Sequence, residues 1–134
     1  MSSMNEFIEW EQKVKPEIGH IGFILSQKLS DEPEALIKDL IEVESWNGRV
    51  GFLLAESNSW LDRFALTAMP PKEQGKTELD RETLLDSETA PIRLVRDILE
   101  HYCDAIKNRL VLGESILGYQ RQFANGNKDN FKVI

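Results

Sequence analysis

Four groups of side chains in this sequence have types and spacings that chemistry can use. Glu17-Ile-Gly-His20 sets a carboxylate and an imidazole three residues apart, the interval that aims two metal ligands from one helical face in carboxylate-bridged centres. Such centres need a second pair, and at His101 the matching position is Ile98. The pair is therefore read as a polar patch, and no metal site is expected. Asp97, Glu100, His101 and Asp104 recur at helical spacing, and Asp39 with Glu42 would face them across an antiparallel helix pair. Oxygen ligands gathered in that way bind magnesium, as in a Mg-dependent all-α nucleotide pyrophosphohydrolase. The dense Glu-x-x-Glu repeats of those enzymes are missing here, so no catalytic residue is assigned and the chain is read as a non-enzyme.

The third group is Trp46-Asn-Gly-Arg49 with Trp60-Leu-Asp-Arg63, where each indole is followed one helical turn later by a guanidinium. Indoles stack on unpaired bases while arginines hold phosphates, so the pairs have the makings of a single-strand surface. The competing reading buries both tryptophans against the N-terminal helix and pairs each arginine with Glu42 or Glu56, and it is the preferred one. The fourth is Cys103, the sole cysteine, which excludes a disulfide within the chain and is expected to be a buried thiol. No cofactor is implied.

The elements that must position these groups are helices. Leu36, Leu40, Val43, Asn47, Val50, Leu54, Ser57, Leu61, Phe64 and Ala68 repeat every three or four residues, and Trp46, Leu53 and Trp60 form a second stripe at seven-residue spacing. Ser30-Asp-Glu-Pro33 combines a cap, acids for the helix dipole and an early proline, predicting a helix over 33–69. Upstream, Ser3 and Glu6 have capping-box spacing. Phe7, Trp10, Val14, Ile18, Ile21, Leu25 and Leu29 then predict a helix over 4–29, kinked or divided at Pro16. Met69-Pro-Pro-Lys-Glu-Gln-Gly75-Lys76 reads as a linker over 70–76. Thr77 caps a short helix over 78–88, and Thr89-Ala-Pro91 starts a last one over 90–124, ended by Asn125-Gly-Asn127. Residues 127–134 read as a tail that docks on a partner. The expected fold is all-α: one domain over 1–134, with long antiparallel helices, shorter ones packed across them and coiled-coil-like seams. Asn47, Ser57, Arg109 and Gln120 fall inside apolar seams, where polar residues fix register or oligomer state. Self-association is expected.

The net charge is -7, which argues against a general polyanion binder, yet the charge is unevenly spread. Residues 107–134 carry Lys107, Arg109, Arg121, Lys128 and Lys132 against Glu114 and Asp129, so the C-terminal end is basic while the rest is acidic. No apolar run approaches the roughly 20 residues of a membrane span, and no leader-like segment opens the chain. A soluble cytoplasmic protein without membrane partners is expected.

Tyr102-Cys-Asp-Ala-Ile-Lys-Asn-Arg109, continuing through Leu112, Ile116, Gln120 and Phe123, resembles the C-terminal helix of the UvsY-type recombination mediators of tailed phages. Those chains are of nearly this length and share the layout: a long central helix, a polar break, a charged-threonine segment like Thr77-Glu-Leu-Asp-Arg81, and a long final helix. The resemblance implies a ring-forming homo-oligomer in the host cytoplasm that binds single-stranded DNA. It also implies that the protein helps load a RecA-like recombinase onto strands covered by single-strand-binding protein. The lysine-rich run of that family's central helix has no counterpart here, where Glu42, Glu44 and Glu56 accompany Arg49 and Arg63. The candidate phosphate contacts are Lys107, Arg109, Arg121, Arg49 and Arg63, with Trp46 and Trp60 as conditional stacking residues. The rival reading is an acidic interaction module, an inhibitor or structural adaptor, that binds no DNA.

Overall fold

The computed structural model describes residues 3–68 and 77–132. They form three helices, α1 (Ser3–Ser26), α2 (Pro33–Ala68) and α3 (Glu78–Lys132), and no strand occurs among the described residues. The fold is all-α. None of these helices is long and apolar enough to cross a membrane. The predicted linker over 70–76 lies outside the described residues.

Two of the helix starts foreseen from capping residues fall where expected, at Pro33 and at Glu78. The Ser30 hydroxyl accepts from the Glu32 amide at 3.2 Å ahead of α2, and the Asp39 carboxylate accepts from the Ser30 amide, tying the turn to the helix it opens. At α3 the Thr77 hydroxyl accepts from the Asp80 amide at 3.1 Å, satisfying one of the donors that a helix start leaves unpaired.

Each helix buries one line of residues at strict seven-residue spacing. On α1 the line is Phe7, Val14 and Ile21; on α2 it is Leu36, Val43, Val50, Ser57 and Phe64; on α3 it is Ile92, Leu99, Ile106 and Gly113. A 3.5-residue period against the 3.6 of a straight helix keeps such a line facing its partners only if the helices wind around each other, the packing of a left-handed bundle. Leu53 is fully buried and Trp46 and Trp60 pack against the core, so the second stripe of α2 joins the first in one broad face. Asn47, expected inside the seam, is exposed, although Leu40 seven residues before it is buried and Leu54 seven residues after it is half-buried.

Cross-helix contacts fix the register. Trp60 meets Phe7 and Trp10, and Trp46 meets His20, so α1 and α2 run antiparallel. Leu40 lies against Gly113, and Gln120 donates to the Asp31 carbonyl at 2.8 Å, so α2 and α3 also run antiparallel. Tyr102 covers Gly22 and Arg109 reaches the Leu25 carbonyl, which makes α1 and α3 parallel. The result is an up-down-up bundle.

Three boundaries differ from the expectation. Pro16 does not divide α1; it is exposed, and one helix runs through it with the apolar line 7, 14 and 21 intact. Pro91 does not start a new helix either, because 78–88 and 90–124 are one element. Proline removes the donor for the carbonyl four residues earlier and crowds that turn. Here the Thr89 hydroxyl donates to the Leu85 carbonyl and the Arg93 guanidinium to the Asp86 carbonyl, extra bonds in the turn that precedes the proline. Asn125-Gly126-Asn127 does not end the helix, since each residue added to a formed helix gains a hydrogen bond without a new nucleus. Residues 127–132 thus extend α3, and 133–134 lie outside the described residues.

Helix lengths determine where the bundle opens. With 55 residues α3 is roughly 80 Å long, whereas α1 has 24 residues and ends at Ser26. Near that end Arg109 of α3 reaches the Leu25 carbonyl. Beyond that point three helices become two, and the connector from α1 to α2 lies beside α3, with Lys28, Leu29 and Asp31 bordering Leu112 and Ile116.

Candidate nucleic-acid interface

Arg49 is held by Glu17. Its Nε donates to Glu17 Oε1 at 2.5 Å and a second guanidinium nitrogen donates to Oε2 at 2.9 Å, a two-point bridge from α2 to α1. The arginine holds the Glu17 carboxyl below the usual carboxylate range, chiefly through that hydrogen bond, and is itself shifted upward by it. The Arg49 guanidinium also lies 5.4 Å from the Phe52 ring centre. The expected partner, Glu42 or Glu56 on the same helix, is replaced by a residue of the neighbouring one, and Glu56 instead accepts from the Trp10 indole at 2.6 Å.

The tryptophans are similarly engaged. Trp60 packs in an aromatic cluster with Phe7 and Trp10 at centroid distances of 6.2 and 6.4 Å, and the Arg63 guanidinium covers it at 4.3 Å. Trp46 meets His20 edge-on at 5.4 Å. Trp46, Arg49 and Trp60 therefore clamp α1 onto α2, while Arg63 packs on Trp60 of its own helix. A base could stack on Trp60 only after displacing Arg63 from its face.

The remaining candidates lie on α3. Lys107 and Arg121 are exposed, and they share one face of the helix with Glu114 between them at seven-residue intervals. Arg109 is half-buried where α1 ends: its guanidinium donates to the Leu25 carbonyl at 3.4 Å, against the negative end of the α1 dipole. It borders a cavity of about 190 Å³ that also contains His20, Lys28, Asp39 and Glu42, and its Nε is buried without a hydrogen-bond partner. So Arg109 acts first as a cap, and Lys107 and Arg121 are the α3 candidates whose charge faces solvent.

The carboxylate sets do not assemble. Arg96 pairs with Asp97 at 3.0 Å and approaches Glu100 at 3.9 Å, which turns part of that cluster onto its own helix. The α2–α3 register puts Asp39 and Glu42 beside Arg109, beyond reach of Asp97, so the facing arrangement expected across the helix pair is not formed. Among the described residues no three His, Cys, Asp or Glu side chains are placed to share a metal ion. Glu17 and His20 each have the α2 partner described above. Cys103 is half-buried rather than buried, and desolvation pushes its thiol above the ordinary value.

What sequence reasoning missed is apolar. Leu112, Tyr119 and Phe123 are exposed on α3, as are Ile37 and Ile41 on α2, all at the end where α1 is absent. The signal was present in the continuous three-four spacing of Tyr102, Ala105, Arg109, Leu112, Ile116, Tyr119 and Phe123, which outlasts α1 by two heptads. No protein-family model, curated protein or solved structure matches the chain.

Proposed function

We propose that this protein is a non-catalytic helical accessory factor of phage DNA recombination or replication. It works as a homo-oligomer that binds single-stranded DNA and helps load a RecA-like recombinase in the presence of single-strand-binding protein. The observation that carries the reading is the coincidence, at the open end of the bundle, of uncovered apolar residues with the basic C-terminal segment 107–134. Leu112, Tyr119 and Phe123 are exposed on one side of this end of α3, and Lys107 and Arg121 on the opposite side. Assembly through the apolar residues would repeat two solvent-facing cations around the oligomer, building from a chain of net charge -7 a local positive surface that one copy lacks. The recombination role itself rests on the resemblance of the segment Tyr102–Arg109 and the layout around it.

Within this reading the candidates with solvent-facing charge are Lys107 and Arg121, together with Arg63 where it lies over Trp60. Arg49, Trp46 and Trp60 serve the α1–α2 clamp, and Arg109 serves the end of α1. That same engagement favours a second reading, an acidic protein-interaction module that binds no DNA. Fluorescence anisotropy of a labelled single-stranded oligonucleotide and of its duplex, titrated at low and moderate salt, separates the two. Binding that prefers the single strand and weakens with salt supports the first reading. Absence of binding at low salt, where phosphate contacts are strongest, overturns it.

A further inference from the structure

We propose that the cleft between the end of α1 and the first half of α2 is a binding site for a short linear zwitterion, an ammonium group and a carboxylate separated by an apolar chain. It depends neither on the nucleic-acid reading nor on self-association. The buried line of α1 runs through Phe7, Val14 and Ile21, and the next place in that seven-residue series falls past the helix end to Lys28, which is exposed. A charged residue at that place does not draw the elements together as an apolar one does. A cavity of about 190 Å³ is left there, walled by Phe23 and Ile24 on one side and by Val43 on the other.

Charge in this cavity is sorted by end. The His20 ring meets Trp46 and the Ser30 amide donates to Asp39, so the antiparallel register of α1 and α2 sets the long axis. On α2, Glu42 lies nearer to Trp46 than Asp39 does, which places it toward the His20 end. Lys28 and Arg109 form the other end, where both also border the groove that runs on to Leu112. Asp39 lies at that end too, but its carboxylate already accepts from Ser30. Neither the Glu42 carboxylate nor the Lys28 ammonium has an ion-pair partner among the described residues. Arg109 commits one guanidinium nitrogen to the Leu25 carbonyl and keeps further donors.

Opposite charges therefore stand at the two ends of an apolar gap without meeting. A ligand of the reverse polarity satisfies both, its ammonium toward Glu42, its carboxylate toward Lys28 and Arg109, and its methylenes against Phe23, Ile24 and Val43. A simple anion sets its charge in a cavity that also holds Glu42, and a simple cation meets Lys28 and Arg109 in the same way, so each gains at one end and loses at the other. An α-amino acid carries both charges on one carbon and serves one end alone, because α1 advances about 9 Å from His20 to its last residue, Ser26.

The test is a titration of the isotopically labelled full chain, followed by amide NMR, with ε-aminohexanoate, γ-aminobutyrate, glycine, hexanoate and hexylamine. The long zwitterion ε-aminohexanoate is expected to bind most tightly, saturating at millimolar concentration and shifting the amides of Phe23, Ile24 and Val43. Hexanoate and hexylamine, which each lack one charge, should bind about tenfold more weakly. Glu42 and Lys28 are both exposed, so their substitution leaves the bundle folded, which the same spectra check. Glu42→Gln should weaken ε-aminohexanoate by about tenfold without weakening hexanoate, whereas Lys28→Gln should weaken both. Absence of shifts with every compound, the result if Glu42 and Lys28 close on each other in solution, would overturn the proposal. So would shifts confined to other residues, glycine or hexanoate binding as well as ε-aminohexanoate, or a Glu42→Gln variant with unchanged affinity.

Discussion

Gly113 is buried against Leu40 so closely that a Cβ added to it would lie 2.3 Å from Leu40 Cδ2 and within 2.9 Å of Cγ. The α2–α3 register therefore depends at this level on a residue without a side chain. Ala in place of Gly favours a helix by up to about 1 kcal/mol, but here the whole Leu40 isopropyl group must move, at a cost of about 1–3 kcal/mol for overpacking. Gly113→Ala should lower stability by roughly 1 kcal/mol net. Gly51, with open space around its Cα, is the control: Gly51→Ala should raise stability by about 0.5–1 kcal/mol. Urea unfolding followed by circular dichroism measures both.

The Arg49–Glu17 bridge predicts a pH dependence. Glu17 has its pKa lowered in the folded chain, so the bridge stabilises above the unfolded value near 4.5 and its contribution is lost as pH falls through the lower folded value. Both side chains are partly exposed, which limits the pair to about 0.5–1 kcal/mol. Glu17→Gln should therefore be less stable than wild type at pH 7, with the gap closing as pH falls below 4.5. Thermal melts at a series of pH values test this; a gap that widens on acidification would contradict it.

Ser57 is fully buried in the apolar line of α2, yet its hydroxyl donates to the Leu54 carbonyl of the same helix at 2.7 Å. The polar atom is satisfied locally and bonds to no other helix. Ser57→Ala should be neutral or stabilising by about 0.5 kcal/mol through helix propensity, with no change in oligomeric mass. A change in mass would show that this hydroxyl does set register, as its place in the seam first suggests.

Trp10 and Glu56 join α1 to α2 through the indole N–H at 2.6 Å. Trp10→Phe keeps a ring in the cluster with Phe7 and Trp60 but leaves the carboxylate without this donor. A half-exposed site lets water replace part of the bond, so a loss of about 1 kcal/mol or slightly more is expected, including the reduced ring area. Chemical denaturation followed by the fluorescence of the remaining tryptophans provides the readout.

Should the protein bind single strands, Lys107→Ala and Arg121→Ala should each weaken binding and flatten the dependence of log affinity on log salt by about 0.7 per lost phosphate contact. Arg49→Ala should lower stability while leaving that slope unchanged. An unchanged slope in both α3 variants would remove these residues from the interface.

How much of this was legible in one dimension follows from the range over which each feature is determined. Helix class, the capping of α2 and α3 and the lines Leu36–Val43–Val50 and Ile92–Leu99–Ile106 were readable, because capping bonds span three residues and a heptad repeats within one helix. Proline at 91 and the Asn-Gly-Asn stretch misled, because local propensity marks a boundary that helix propagation overrides. The partner of Arg49 was not readable at all: Glu17 lies 32 residues away, and only the antiparallel register of α1 and α2 brings the two together. The open end was half readable. By itself the sequence determined that an apolar repeat runs to Phe123, since that pattern belongs to α3 alone. Only the tertiary structure decided that the repeat is left uncovered, because that depends on where α1, running parallel to α3, comes to its end.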